Sequence, residues 1–199
     1  MTQTVDRAKR RFLTLATSVV GGAGAVGFAW PFLSSWQPSA RARALGAPVE
    51  ADISKLEEGA KLTVNWRGRP VWIVRRSKET LADLETLGGV LRDPQSEEAE
   101  QPPYIKGTAR AIRPEILVMI GQCTHLGCSP LYKPEVSDEM MGDDWKGGFF
   151  CPCHGSKFDL SGRVYKSVPA PTNMPVPPYS FRGDNVVVIG VDPSAEEAA

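Results

Sequence analysis

Every cysteine and histidine of this chain falls in two short boxes, Cys123-Thr124-His125-Leu126-Gly127-Cys128 and Cys151-Pro152-Cys153-His154-Gly155-Ser156. Unrelated core histidines would rarely both land within three residues of a cysteine, so the arrangement points to shared metal coordination. It also constrains the fold, because two distant loops must be brought together by whatever carries them. Four cysteines in 199 residues are too few for a disulfide-dense scaffold. Neither box contains the C-x-x-C-H pattern, so covalent haem attachment is not supported. Cys123, His125, Cys151 and His154 could hold one tetrahedral zinc as two thiolates and two imidazoles, with Cys128 and Cys153 left over. The same four residues could instead hold a binuclear iron–sulfur cluster, the cysteines on one iron and the histidines on the other.

No charged side chain occurs between Arg11 and Arg41, and Phe12 to Leu33 is apolar or small throughout. As a helix this stretch spans roughly 33 Å, enough to cross a bilayer core of about 30 Å. It reads as a single transmembrane anchor. The N-terminal flank carries Arg7, Lys9, Arg10 and Arg11 against Asp6, while the stretch to Ala47 carries only Arg41 and Arg43. The more basic side is expected to stay cytoplasmic. A cleaved signal peptide is the alternative, since Ala40-Arg41-Ala42 and Ala42-Arg43-Ala44 have the A-x-A form. Lys9-Arg10-Arg11-Phe12-Leu13 resembles a twin-arginine export signal, one residue short between the arginine pair and Phe-Leu. Gly21, Gly22, Gly24 and Gly27 would suit close packing against another membrane helix. Ser34 to Ala47 is small, Ala-rich and broken by Pro38, the composition of a flexible linker.

Beyond the linker, Leu62, Val64 and Trp66 alternate with polar residues, the period of a half-buried strand. Arg67-Gly68-Arg69-Pro70 turns into a second strand at Val71 to Val74, and Ser77 is the expected N-cap of a short helix from Lys78 to Leu87. Ile116 to Ile120 is a strand running into the first box, and Tyr179 to Phe181 pairs with Val186 to Val191 across Arg182-Gly183-Asp184-Asn185. The acidic stretches Asp93 to Pro103 and Tyr132 to Gly148 are expected to be solvated surface, the second with contact to a partner cytochrome as its sharper reading. Gly and Pro number 19 and 17, which favours a loop-rich β domain. Lys and Arg balance Asp and Glu at 23 each, so no global basic field exists to hold nucleic acid.

The two boxes closely resemble those of the Rieske iron–sulfur proteins of quinol-oxidising cytochrome bc complexes. The resemblance extends to the anchor, the linker, the strands of Trp66 to Arg76 and the loop Pro169-Ala170-Pro171. Rieske ferredoxins and ring-hydroxylating oxygenases usually lack the second cysteine of each box and the anchor. The nearest rival is an anchored protein of the same type serving a cytochrome b6f-like complex. The resemblance implies a mainly β chain: an antiparallel β-sandwich head with an inserted cluster-binding subdomain, preceded by one transmembrane α-helix. The implied boundaries are a cytoplasmic N-terminus at 1–11, the anchor at 12–33, a hinge linker at 34–47 and a [2Fe–2S] domain at 48–199, its cluster-binding part about 119–171. The implied function is that of the iron–sulfur subunit of a bacterial quinol–cytochrome c oxidoreductase. It takes one electron from ubiquinol at a cytochrome b subunit and passes it to a c-type cytochrome, cytochrome c1. The complex would be dimeric and embedded in the inner membrane, with the head periplasmic, and would contribute to proton translocation.

By the same resemblance, Cys123 and Cys151 ligate the inner iron and His125 and His154 the outer one, with His154 the quinol contact for proton-coupled electron transfer. Two neutral imidazoles in place of two thiolates raise the potential well above that of all-cysteine ferredoxins. Cys128 and Cys153 are implied to close a disulfide that clamps the two loops, worth roughly 3 kcal/mol in the loop-entropy model. Ser156 is expected to donate a hydrogen bond to the cluster, Leu126 to shield it, and Gly127 and Gly155 to allow tight turns. Pro169 and Pro171 belong to a third covering loop, where Val168 stands at a position often Gly in the family. Phe158 stands where many high-potential members have Tyr.

Overall fold

The structure, a computed structural model, describes residues 6–98, 101–136 and 141–193. The chain forms two units, 1–44 and 45–199. In the first, helix α1 (Arg7–Ser35) begins where the Asp6 carboxylate accepts from the backbone N–H groups of Ala8 and Lys9 at 3.0 and 3.2 Å. The helix thus takes in the basic flank as well as the apolar span from Phe12 to Leu33. It is long and apolar enough to cross a membrane, and none of its residues is buried by the rest of the chain. Gly21, Gly22, Gly24 and Gly27 lie within this exposed stretch.

The linker differs from the coil expected of it. Ala40–Leu45 forms a short helix, α2, because Ala, Arg and Leu are strong helix formers and Ser39 caps it by accepting from the Ala42 N–H at 3.1 Å.

Among the described residues, the second unit has nine strands in three antiparallel sheets. The strands are β1 (Val49–Asp52), β2 (Lys61–Trp66), β3 (Arg69–Arg75), β4 (Ile116–Ile120), β5 (Leu131–Lys133), β6 (Gly148–Cys151), β7 (Ser156–Asp159), β8 (Tyr179–Arg182) and β9 (Val186–Ile189). Their orders are β1-β9-β8, β2-β3-β4 and β5-β6-β7. The β2–β3 turn is Arg67-Gly68, both at positive φ, and the register pairs Trp66 with Arg69. That geometry matches the right-handed twist of the strands it joins. Helix α3 (Lys78–Thr86) starts at the Ser77 cap, where the Thr80 N–H donates to Oγ at 3.2 Å.

Alternation along β3 and β4 explains how the sheets stack. Val71, Ile73, Ile116, Val118 and Ile120 face one apolar cluster with Ala51, Tyr179, Phe181, Val187 and Ile189 of the β1-β9-β8 sheet. Trp72, Val74, Leu117 and Met119 point the other way, into a cluster with Phe149, Phe158, Cys123 and Cys151. The middle of β3 and all of β4 are therefore buried on both faces, which is why β4 reads Ile-Leu-Val-Met-Ile with no polar alternation. One face closes the sandwich and the other carries the subdomain with the two boxes.

The strands β1, β5, β6 and β7 are additions to the sequence-based expectation. Three of them are the short strands that hold the boxes, at three or four residues each. The acidic stretches are not wholly solvated. Asp93, Ser96, Met141 and Trp145 are buried, while Glu135, Asp143 and Asp144 are exposed. Asp138 and Glu139 lie outside the described residues.

Candidate metal centre

The two boxes fold alike. In each, the N–H of a glycine donates to the carbonyl of the cysteine four residues earlier: Gly127 to Cys123 and Gly155 to Cys151, both at 2.9 Å. Gly127 and Gly155 hold φ of 81° and 77°, a left-handed conformation that a side chain would oppose. The first box leaves the end of β4, and the Cys123 N–H closes it by donating to the Cys128 carbonyl at 2.8 Å. The second is the turn between β6 and β7, whose register pairs Cys151 with Ser156.

Packing the third sheet on the central one brings the boxes face to face. Cys123 and Cys151 are both buried in the same apolar cluster. Burial pushes the Cys123 thiol up, opposed by hydrogen bonds from the His125 backbone and the Ser156 hydroxyl. On the outer side the His125 and His154 rings stand edge to face, with centroids 4.7 Å apart. His154 is exposed and His125 half-buried. Leu126 is 71% exposed beside them.

The His125 Nδ1 is buried without a hydrogen-bond partner among the described residues. A buried imidazole nitrogen left unpaired costs free energy, and metal ligation is the use that fits its neighbours. Two buried thiols and two outer imidazoles form the donor set of a mixed-ligand [2Fe–2S] cluster, and the residues fit that group.

Cys128 and Cys153 also meet. Their sulfur atoms and that of Cys151 lie within 4.8 Å of one another, and all four cysteines stand as thiols in this structure. The neighbouring Cys128 thiol is the first cause that pushes Cys153 up to about 11.

A third loop laces the boxes together. The Thr124 hydroxyl donates to the Thr172 carbonyl at 2.7 Å, and the Ala170 N–H donates to Ser156 Oγ at 3.0 Å. Pro169 and Pro171 are exposed, and the residue between them, Ala170, is fully buried. The backbone at this bend takes its positive φ at Ser167, which leaves Val168 free of strain at the position where glycine was the family expectation. Phe158 is buried on β7 in the same apolar cluster as Cys123 and Cys151.

Residues that sequence reasoning passed over support this loop from behind. Asp159 and Arg163 form a fully buried ion pair at 2.7 Å, and Arg163 also donates to the carbonyls of Pro94 and Leu84. Arg110 donates to the carbonyls of Ser161 and Met174, both at 2.8 Å. The Asp-x-x-x-Arg spacing was the only sequence signal for any of this.

Residues 47–180 match the family described as the Rieske [2Fe-2S] domain. Over 190 residues the chain is 58% identical to the ubiquinol-cytochrome c reductase iron-sulfur subunit of Allochromatium vinosum, covering 96% of this chain and 92% of that protein. The chain belongs to this family of Rieske subunits. A second Rieske subunit of the same description, from Blastochloris viridis, is 44% identical over 94% of this chain and 95% of its own. A third, from Bradyrhizobium diazoefficiens, is 40% identical over 92% and 94%. Residues 2–39 match the family described as the ubiquitinol-cytochrome C reductase Fe-S subunit TAT signal. With the apolar α1, that match describes a membrane-anchored Rieske subunit of bacterial type.

Proposed function

We propose that this Rieske subunit carries single electrons from ubiquinol at a cytochrome b subunit to cytochrome c1 within a dimeric, membrane-embedded bc1 complex. The observation that carries the reading is the convergence of two buried thiols, Cys123 and Cys151, with an outer histidine pair whose buried Nδ1 has no partner. Cys123 and Cys151 would hold the inner iron, and His125 and His154 the outer one. When bound, the cluster supplies a one-electron acceptor at a potential raised by its imidazole ligands.

The chain's own residues do the rest. His154 is exposed, so its outer ring nitrogen is free to accept a hydrogen bond from a quinol hydroxyl and to take its proton. Leu126 supplies an exposed apolar edge for the quinone-facing tip. Ser156 accepts from the Ala170 N–H, which leaves its own proton to donate toward Cys123. Cys128 and Cys153, adjacent at the rim, would close a disulfide outside the cytoplasm and clamp the two boxes. The head lies in the periplasm and the basic N-terminal end of α1 in the cytoplasm, the orientation its charge asymmetry favours.

The test is an electron paramagnetic resonance spectrum of the dithionite-reduced protein, together with copurification. A mixed nitrogen–sulfur [2Fe–2S] signal with b- and c-type haem in the same complex is expected. A silent spectrum with stoichiometric zinc would overturn the reading. Peptide mapping of the oxidised protein should find Cys128 linked to Cys153; two free thiols there would remove the clamp from this account.

A further inference from the structure

We propose that Asn173 is a positioning residue for the metal centre, locking the third loop against a turn at Asp93–Ser96 that lies far away in sequence. The proposal rests on the cluster reading above. The Asn173 side chain is 1% exposed, and its amide is fully used. Oδ1 accepts the Val164 N–H at 2.8 Å, while Nδ2 donates to the Asp93 carbonyl at 2.9 Å and to Ser96 Oγ at 2.8 Å.

The turn it grips is itself fixed. The Ser96 N–H donates to the Asp93 carbonyl at 3.2 Å, and the Asp93 carboxylate accepts the N–H groups of Glu97 and Glu98. Arg163 Nη1 holds the Pro94 carbonyl at 3.0 Å. Ser96 keeps a φ of 57°, a conformation a serine adopts only when its surroundings determine it. The start of this acidic loop is thus a buttress, while Glu97 and Glu98 just beyond it are exposed.

What the buttress holds is the segment that touches both ligand boxes. Thr172, next to Asn173, accepts from Thr124 of the first box, and Ala170 donates to Ser156 of the second. Ser156 in turn is the register partner of Cys151 across the β6–β7 hairpin. Loosening Asn173 therefore disturbs a hydrogen bond to the residue paired with Cys151, a proposed iron ligand. A cleft of about 360 Å³ already borders Glu98, Thr172, Asn173 and Cys123, so a loosened third loop would widen access to Cys123. An amide that only filled core space would affect overall stability and leave the centre's spectrum and accessibility alone.

The experiment uses the cluster-loaded full chain in detergent and compares wild type, Asn173→Ala, Ser96→Ala and a core control, Ile73→Val. Ile73 faces the opposite side of the central sheet. Three quantities are measured: the resonance g values of the reduced protein, the rate at which an iron chelator bleaches the visible spectrum, and the thermal midpoint. Asn173→Ala is expected to bleach about tenfold faster with shifted g values, the size of a lost buried hydrogen bond. Ile73→Val should lower the midpoint with wild-type spectrum and bleaching. Asn173→Ala that lowers only the midpoint, with bleaching within about twofold of wild type, overturns the proposal. If that variant accumulates without cluster, Ser96→Ala decides. It removes one acceptor only, and bleaching about threefold faster supports the lock, whereas a wild-type rate overturns it. A wild-type protein with no Rieske signal would instead overturn the parent reading and leave Asn173 a core residue.

Discussion

Ser156 and Phe158 sit two apart on β7 and so point to the same face of the sheet, both fully buried. Hydrogen bonding from the Ser156 hydroxyl opposes the rise of the Cys123 thiol, and Phe158 packs in the cluster that includes Cys123 and Cys151, the proposed ligands. A donor aimed at a ligand sulfur stabilises the more negative, reduced state of the centre. A hydrogen bond to a charged group contributes roughly 1.5–3 kcal/mol, and the fraction that differs between redox states sets the shift. If half differs, with about 59 mV per 1.4 kcal/mol for one electron, one donor is worth roughly 30–65 mV. Phe158→Tyr is expected to raise the midpoint potential by that amount, and Ser156→Ala to lower it. Protein-film voltammetry measures both, and no rise for Phe158→Tyr would mean that a hydroxyl at 158 does not reach a ligand sulfur.

At the scale of elements, the β6–β7 hairpin is the platform of the second box, and it tolerates no side chain at its first residue. A Cβ on Gly148 would fall on the Phe158 carbonyl oxygen, a backbone atom that cannot yield without breaking the strand pairing. Gly148→Ala is expected to destabilise the head by at least about 2–3 kcal/mol and to deplete the cluster. Iron content per protein and a thermal melt check this together. The α2 helix concerns turnover instead. It links the anchor to a head that we infer must serve two transfer sites, one at the quinol and one at the cytochrome. Prolines at Arg43 and Ala44 would break α2, since each proline beyond the first turn costs about 3 kcal/mol in a helix. The cluster spectrum should stay unchanged while quinol–cytochrome c turnover of the assembled complex falls. Full turnover would show that the linker's conformation does not limit the reaction.

For the head as a whole, burial leaves a signature in the tyrosines. Burial is the first cause at each of the four: Tyr104 and Tyr132 are pushed up to about 12, and Tyr165 and Tyr179 are raised as well. Their folded values lie above the ordinary value of about 10, so the folded head retains phenol protons that the unfolded chain gives up. The stability tied to this is complete below pH ~10 and is lost as pH rises from about 10 toward 12. A spectrophotometric titration should therefore show little tyrosinate at pH ~10.5, and tyrosinate should grow together with loss of the folded circular-dichroism signal. Early ionisation without unfolding would contradict the burial of these rings.

The metal boxes, the anchor, the β2–β3 turn and the Ser77 cap were legible in the sequence because each is local. Ligand spacing, an uncharged run, a Gly at a tight turn and a hydroxyl before a helix act on chain neighbours within a few residues. The strands β5, β6 and β7 are only three or four residues long, too short for their periodicity to stand out beside the ligand residues they carry. Nor does any local pattern show that Asn173 meets Asp93 and Ser96, that Arg110 holds Met174, or that Asp159 and Arg163 are buried together. Those pairings exist because stacking a third sheet on the second face of β2-β3-β4 excludes water from groups that would be solvated in any isolated segment. Buried polar groups must then find partners wherever the fold places them. Ligand spacing alone singled out the candidate metal-binding atoms, and the tertiary structure alone decided what holds them still.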